Sequence, residues 1–146
     1  MNIDRMWKFI TGIFHWLVFG SWKEYVNQVN RKGERHGLWR EFWDGSICIE
    51  CEYVDGVKHG LSRTYRSNDA ASKYPGTLST ECTYVNGLKT GLQRTWHSNG
   101  SLWVESNMKN DRMDGAYKVW NNGGGLHWSS YYADNSLEGE VIEYEY

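Results

Sequence analysis

Glycine recurs along this chain at a spacing that few folds can accommodate. Pairs stand at Gly33/Gly37, Gly56/Gly60 and Gly87/Gly91, and the second member alone returns at Gly115 and Gly139. From second glycine to second glycine the steps are 23, 31, 24 and 24 residues. Five positions past each comes an aromatic: Phe42, Tyr65, Trp96, Trp120 and Tyr144. A period in the twenties is the signature of one small supersecondary unit stacked on copies of itself. Such arrays serve mainly as scaffolds and docking surfaces.

Aligning the copies on the second glycine gives further columns. Leu38, Leu61 and Leu92 follow it directly, with Ala116 and Glu140 in the last two copies. Arg40, Arg63, Arg94 and Lys118 form a basic column three positions past it. Leucine, base and aromatic share parity, so on a strand they lie on one face. A base beside a ring then predicts cation–π stacking along the array. Turns are expected at Asp44-Gly45, Asn99-Gly100 and Asn122-Gly123, all strong hairpin dipeptides.

The second half of each unit alternates. Ile47, Ile49, Cys51 and Tyr53 share one face, and Leu78, Thr80, Cys82 and Tyr84 repeat the pattern. Leu102, Val104, Ser106 and Met108 follow, then Leu126, Trp128, Ser130 and Tyr132. The intervening Glu50, Glu52, Glu81, Thr83, Glu105 and Asn107 read as solvent-facing. Each unit is therefore a β-hairpin, and the copies add edge to edge. The expected architecture is mainly β: an elongated antiparallel sheet of about nine strands over residues 30–146, preceded by a helix within residues 1–29. Positive φ and close approach explain the glycines. The second copy is longer by an insertion at residues 66–76, whose Asn68, Asp69, Lys73 and Tyr74 make a candidate contact loop.

Residues 6–19 form the most apolar stretch. Lys8, Thr11, Gly12 and His15 fall on a narrow polar stripe, and Trp7, Phe9, Ile10, Ile13, Phe14, Trp16 and Leu17 cover much of the rest. That is an amphipathic helix with a wide apolar face. Fourteen residues reach only about 21 Å as a helix, short of the ~30 Å hydrocarbon core, so a membrane span is not expected. Its roles divide between covering the sheet, docking on another protein and lying on a membrane surface. Covering the sheet comes first among these, and the six bases against three acids up to Gly37 help the last. The final thirteen residues invert this, with five acids and no base.

Composition excludes more than it selects. A net charge of −2 offers no basic field for nucleic acid. Three cysteines cannot form a disulfide framework, and a reducing compartment follows. Cys48 and Cys51 are three apart and point to opposite faces of a strand, so they read as ordinary strand positions. His36 and His59 share one repeat column with Thr90 and Asp114, which favours structure over catalysis. No nucleophile, metal or phosphate-loop motif is present. No enzyme activity, cofactor, metal or small-molecule substrate is expected.

The segments Gly33-Glu-Arg-His-Gly-Leu-Trp-Arg-Glu-Phe-Trp and Glu81-Cys-Thr-Tyr-Val-Asn-Gly-Leu-Lys-Thr-Gly-Leu-Gln-Arg-Thr-Trp resemble variant MORN (membrane occupation and recognition nexus) repeats, over residues 30–146. The wording E-C-x-Y-V-x-G at Glu81 to Gly87 is similar to the repeat proteins of marseillevirus-type giant DNA viruses and to a bacterial antitoxin-like group. The resemblance implies a β-hairpin array that docks proteins, oligomerises or apposes membranes, without catalytic residues. It suggests a virion or cytoplasmic setting as a capsid-associated component. The alternatives are a peripheral membrane adaptor and an antitoxin-like protein that neutralises one partner.

Overall fold

The computed structural model describes residues 26–43, 45–66 and 76–145. The strands are β1 (Gln28–Val29), β2 (Arg35–Trp43), β3 (Ser46–Val54), β4 (Val57–Tyr65), β5 (Leu78–Val85), β6 (Leu88–Lys89), β7 (Gly91–Trp96), β8 (Leu102–Lys109), β9 (Arg112–Trp120), β10 (Leu126–Ala133) and β11 (Ser136–Glu143). They form one antiparallel sheet in chain order, except that β6 and β7 both pair with β5. Those two are halves of one strand interrupted at Thr90, whose N–H donates to the Thr83 carbonyl at 2.9 Å. The described residues thus hold eleven strands where about nine were expected; the additions are the two-residue β1 and the break that separates β6 from β7. Among the described residues the first strand starts at Gln28. The expected N-terminal helix and its docking residues, Trp7 to Leu17, lie outside the described residues. So does the contact loop with Asn68, Asp69, Lys73 and Tyr74.

The first glycine of each pair belongs to a turn. Val54↔Val57 and Val85↔Leu88 close two-residue loops, as do Lys109↔Arg112 and Ala133↔Ser136. Both central residues are left-handed in every case: Asp55 and Gly56, Asn86 and Gly87, Asn110 and Asp111, Asp134 and Asn135. Such turns twist with the strands they join, and Asn, Asp and Gly tolerate them best. The last two copies lack the first glycine because Asp111 and Asn135 adopt its conformation.

Each of these turns is bonded to the strand that leaves the turn before it. Gly56 donates to the Arg35 carbonyl at 2.8 Å, Gly87 to Lys58 at 2.8 Å, Asp111 to Lys89 at 3.0 Å and Asn135 to Met113 at 2.9 Å. Each bond crosses from one copy to the copy before it. On the opposite ridge, Trp43 pairs with Ser46 ahead of a left-handed Gly45, while Asp44 of the expected turn lies outside the described residues. Around Asn99-Gly100 and Asn122-Gly123 the loops hold three residues instead. His97 donates N–H to Ser101 and Asn121 to Gly125, with Gly100 and Gly124 left-handed.

The second glycine lies within a strand, at a bulge. Lys58 pairs with Tyr53 and Ser62 with Cys51, so four steps along β4 match two along β3. The same mismatch surrounds Gly115 in β9. At Gly115, φ is 125° and an added Cβ would meet the Asn107 Cβ at 2.9 Å. Positive φ and close approach both operate there.

A further register shift falls near the other ridge and changes which face several side chains occupy. Glu41 pairs with Ile49, but Phe42 pairs with Ile47. Tyr65 likewise meets Leu78, Trp96 meets Leu102 and Trp120 meets Leu126. Directly opposed residues share a face. Ile47, Leu78, Leu102 and Leu126 therefore leave the face of Ile49, Thr80, Val104 and Trp128, where strict alternation had put them, and join the aromatic column. The extra residue of a β-bulge (Cys48, Ser79, Trp103 or His127) is the physical reason.

The two faces are built differently. One, the ladder face, carries the Leu, Arg and aromatic columns. The other, the core face, holds the buried residues among those described: Cys51, Tyr53, Ser62, Cys82, Ser106, Val119 and Ser130. Small side chains run down its centre, shielded by larger neighbours. Cys51, Cys82, Ser106 and Ser130 are the small-residue column read from the sequence. Among the described residues there is no helix and no second layer.

Candidate functional site

On the ladder face, pairing aligns one row across seven strands: Arg40, Glu50, Arg63, Glu81, Arg94, Glu105 and Lys118. Their signs alternate throughout. Arg40 Nε donates to Glu50 Oε2 at 2.7 Å, Arg63 Nε to Glu81 Oε2 at 2.8 Å and Arg94 Nε to Glu105 Oε2 at 3.0 Å. The basic column therefore pairs with the carboxylate column, not with the aromatics. The cross-strand bond to Glu81 also holds the Arg63 guanidinium above its ordinary pKa. Glu50 does not stand in open water: its side chain is 17% exposed, and that of its partner Arg40 is 19%. An ion pair shielded to this degree keeps more of its Coulomb attraction than a surface pair does.

Beside the charges runs the aromatic–aliphatic row. Tyr65, Trp96 and Trp120 are half-buried, as are Ile47, Leu78, Leu102 and Leu126. Phe42 and Tyr144, at the two ends, are exposed. The expected aromatic column is thus a continuous band that stays partly open to solvent.

Cation–π contacts occur on the core face. Tyr53 pairs with Lys58 and Tyr84 with Lys89 in the strands next to the turn ridge. The Arg35 guanidinium lies 4.6 Å from the Trp39 ring centre and 5.3 Å from that of Tyr53, and Lys58 Nζ lies 5.1 Å from that of Tyr84. Arg35 also donates to Tyr53 Oη at 3.2 Å and to Glu41 at 2.9 Å, bonds that raise its pKa. Sequence reading missed this strip because its bases stand two past the first glycine, a column interrupted by Met113 and Leu137. At the C-terminal end the strip gives way to packed rings. Tyr117 stacks on Trp128 with centres 5.3 Å apart and meets Tyr132 edge-on at 5.6 Å.

His36 and His59 tie turns together. Their Nδ1 atoms each accept the N–H of the following copy's turn, from Asp55 and Asn86, at 3.5 Å. Their repetition thus has a structural use. Cys48, Cys51 and Cys82 are free thiols, and burial pushes the Cys82 thiol above its ordinary pKa. Among the described residues no group of three or more His, Cys, Asp or Glu is placed to hold a metal ion.

Among the described residues, two cavities bear on the sheet surface. One, of about 420 Å³, lies among the late turns and is lined by Lys109, Asn110, Arg112, Asp114 and Asp134. Its charges satisfy one another: Arg112 donates to both Asp134 oxygens at 2.7 Å, and Lys109 lies 3.7 Å from Asp114. The other, of about 210 Å³, opens on the core face between the second and third copies. Its lining includes Lys58, Lys89, Tyr84, Thr64, Thr80 and Gln93. No protein-family model, curated protein or solved structure matches the chain.

Proposed function

We propose that this chain is a non-catalytic MORN-like repeat protein that docks other proteins in a large assembly, with a giant-virus particle as the favoured setting. The observation that carries this reading is the half-open aromatic–aliphatic row on a sheet one layer thick. Exposed Phe42, Trp43 and Trp103 lie in the strands that bear this row. Apolar surface of this extent on a soluble chain marks a place where something binds. The alternating charges beside the row satisfy each other, leaving the rings and aliphatics as the adhesive element. The repeat wording at Glu81 to Gly87 supports the viral setting.

Two measurements test the reading. Mass spectrometry of gradient-purified particles should detect the chain at constant ratio to the major structural proteins. Hydroxyl-radical footprinting of those particles should find Phe42, Trp96 and Trp120 protected relative to the isolated chain. Presence in infected-cell lysate with absence from particles counts against the setting. Unchanged footprints counts against docking through this row.

A further inference from the structure

The core-face cavity departs from the repeat. Bases stand two past the first glycine only in the first three copies, as Arg35, Lys58 and Lys89, and give way to Met113 and Leu137. Arg35 is neutralised by Glu41 at 2.9 Å. Among the described residues no carboxylate lies in ion-pair reach of Lys58 or Lys89. Asp111 accepts the Lys89 backbone N–H at 2.8 Å but makes no ion pair with either ammonium group. Among the described residues, two ammonium groups without an ion-pair partner thus line one cavity, on either side of Tyr84.

The remaining lining is polar and rich in donors. The Thr64 and Thr80 hydroxyls are 2.5 Å apart. One proton lies between them, so the accepting hydroxyl has its own proton free to give. Burial, then the neighbouring Cys82, push the Tyr84 phenol up to about 12, so it stays a donor at neutral pH. Against these donors stands one acceptor without a partner, the buried Gln93 Oε1. A buried polar acceptor without a protein partner favours a ligand that brings a donor to it.

We propose that this cavity binds a small oxyanion carrying a hydroxyl of its own, of the hydrogen-phosphate or hydroxycarboxylate class. Lys58 and Lys89 take the negative charge. Tyr84 and the threonine pair donate to the anion's oxygens. The ligand's hydroxyl donates to Gln93. Among the described residues the site belongs to the second and third copies, where two bases without an ion-pair partner flank a tyrosine.

The test is a titration of the full-length ¹⁵N-labelled chain at pH 7 and fixed ionic strength, followed by amide shifts. The probes are inorganic phosphate, citrate and sulfate; sulfate has the charge and size of phosphate but no hydroxyl. Phosphate or citrate is expected to give saturable shifts centred on Lys58, Tyr84, Lys89 and Gln93. Sulfate should bind about fivefold more weakly or worse. Lys58→Gln and Lys89→Gln, tested separately so that a folding defect in one leaves the other informative, should each weaken binding about tenfold. Gln93→Leu should erase the preference over sulfate. Shifts that never saturate, shifts spread over the surface bases, or equal binding of sulfate would overturn the proposal.

Discussion

From Arg40 to Lys118 the ladder face sets seven charges of alternating sign in one row, whereas the core face of the same strands sets Cys51, Ser62, Cys82 and Ser106 at its centre and the bases Arg35, Lys58 and Lys89 along its rim. Among the described residues the sheet is one layer thick, so no core forms between layers and its side chains are shielded by their neighbours within the sheet. The ladder face answers with polar pairs that shield each other. The core face answers with small residues that larger neighbours can roof over. The difference teaches that polar satisfaction completed inside one face leaves the other free to keep charge without a partner.

The largest expected effect breaks the bulge that both faces share. Gly115→Ala must force a Cβ against Asn107 at a φ of 125°, and should cost about 2–3 kcal/mol by denaturant unfolding. Gly91→Ala is the control: it too is left-handed, but its Cβ would have nothing within 4 Å. It should cost about 1–2 kcal/mol from backbone strain alone. Equal losses would mean that close approach between copies contributes nothing.

A double-mutant cycle sharpens the account of the ladder. Removing Arg40 and Glu50 singly and together should give a coupling of about 1 kcal/mol that persists in moderate salt, because both side chains are mostly covered. The Arg112–Asp134 pair makes bonds of the same 2.7 Å length, to both oxygens, yet stands in solvent, at 58% and 67% exposure. Its coupling should be smaller and vanish in salt. A stronger coupling at Arg112 would show that the number of bonds, not shielding, sets the value of these pairs.

The core face has its own signature at high pH. Tyr84 has a folded pKa of about 12 against an ordinary value of 10, raised chiefly by burial. A phenol raised in this way keeps its proton longer in the fold than in the unfolded chain. Its contribution to stability is complete below about pH 10 and is lost as pH climbs through 12. Melting temperature should therefore fall across that window, and Tyr84→Phe should flatten the fall. A Tyr84→Phe profile parallel to that of the unaltered chain would contradict the assignment.

Much of this was legible in the residues. Period-two alternation located the strands, and the second glycine marked a left-handed position in every copy. The small-residue column was also readable, since Cys51, Cys82, Ser106 and Ser130 share one offset. Register was not readable, because alternation within one strand does not say which residue faces it on the next. Arg40 and Glu50 were each visible as repeat columns, but only pairing across the hairpin sets them opposite one another. The bulges that carry Ile47 and Leu102 to the ladder face leave no local mark beyond an extra residue. The turns at Asp55-Gly56 and Asn86-Gly87 were in plain sight as hairpin dipeptides, overlooked because the glycines were read as spacing markers. Nothing in periodicity could have found the cavity, which depends on Lys58 and Lys89 lacking the acids that neutralise bases elsewhere.

Each copy is fastened to the one before it by backbone bonds from its turn to the strand that leaves the preceding turn. Residue-resolved hydrogen exchange measures this directly at the amides of Gly56, Gly87, Asp111 and Asn135, which lie at turns where rapid exchange is the ordinary expectation. The account predicts that these four are protected together with the strands flanking them. Exchange at the rate of free loop amides, with protection confined to bonds within each hairpin, would contradict it.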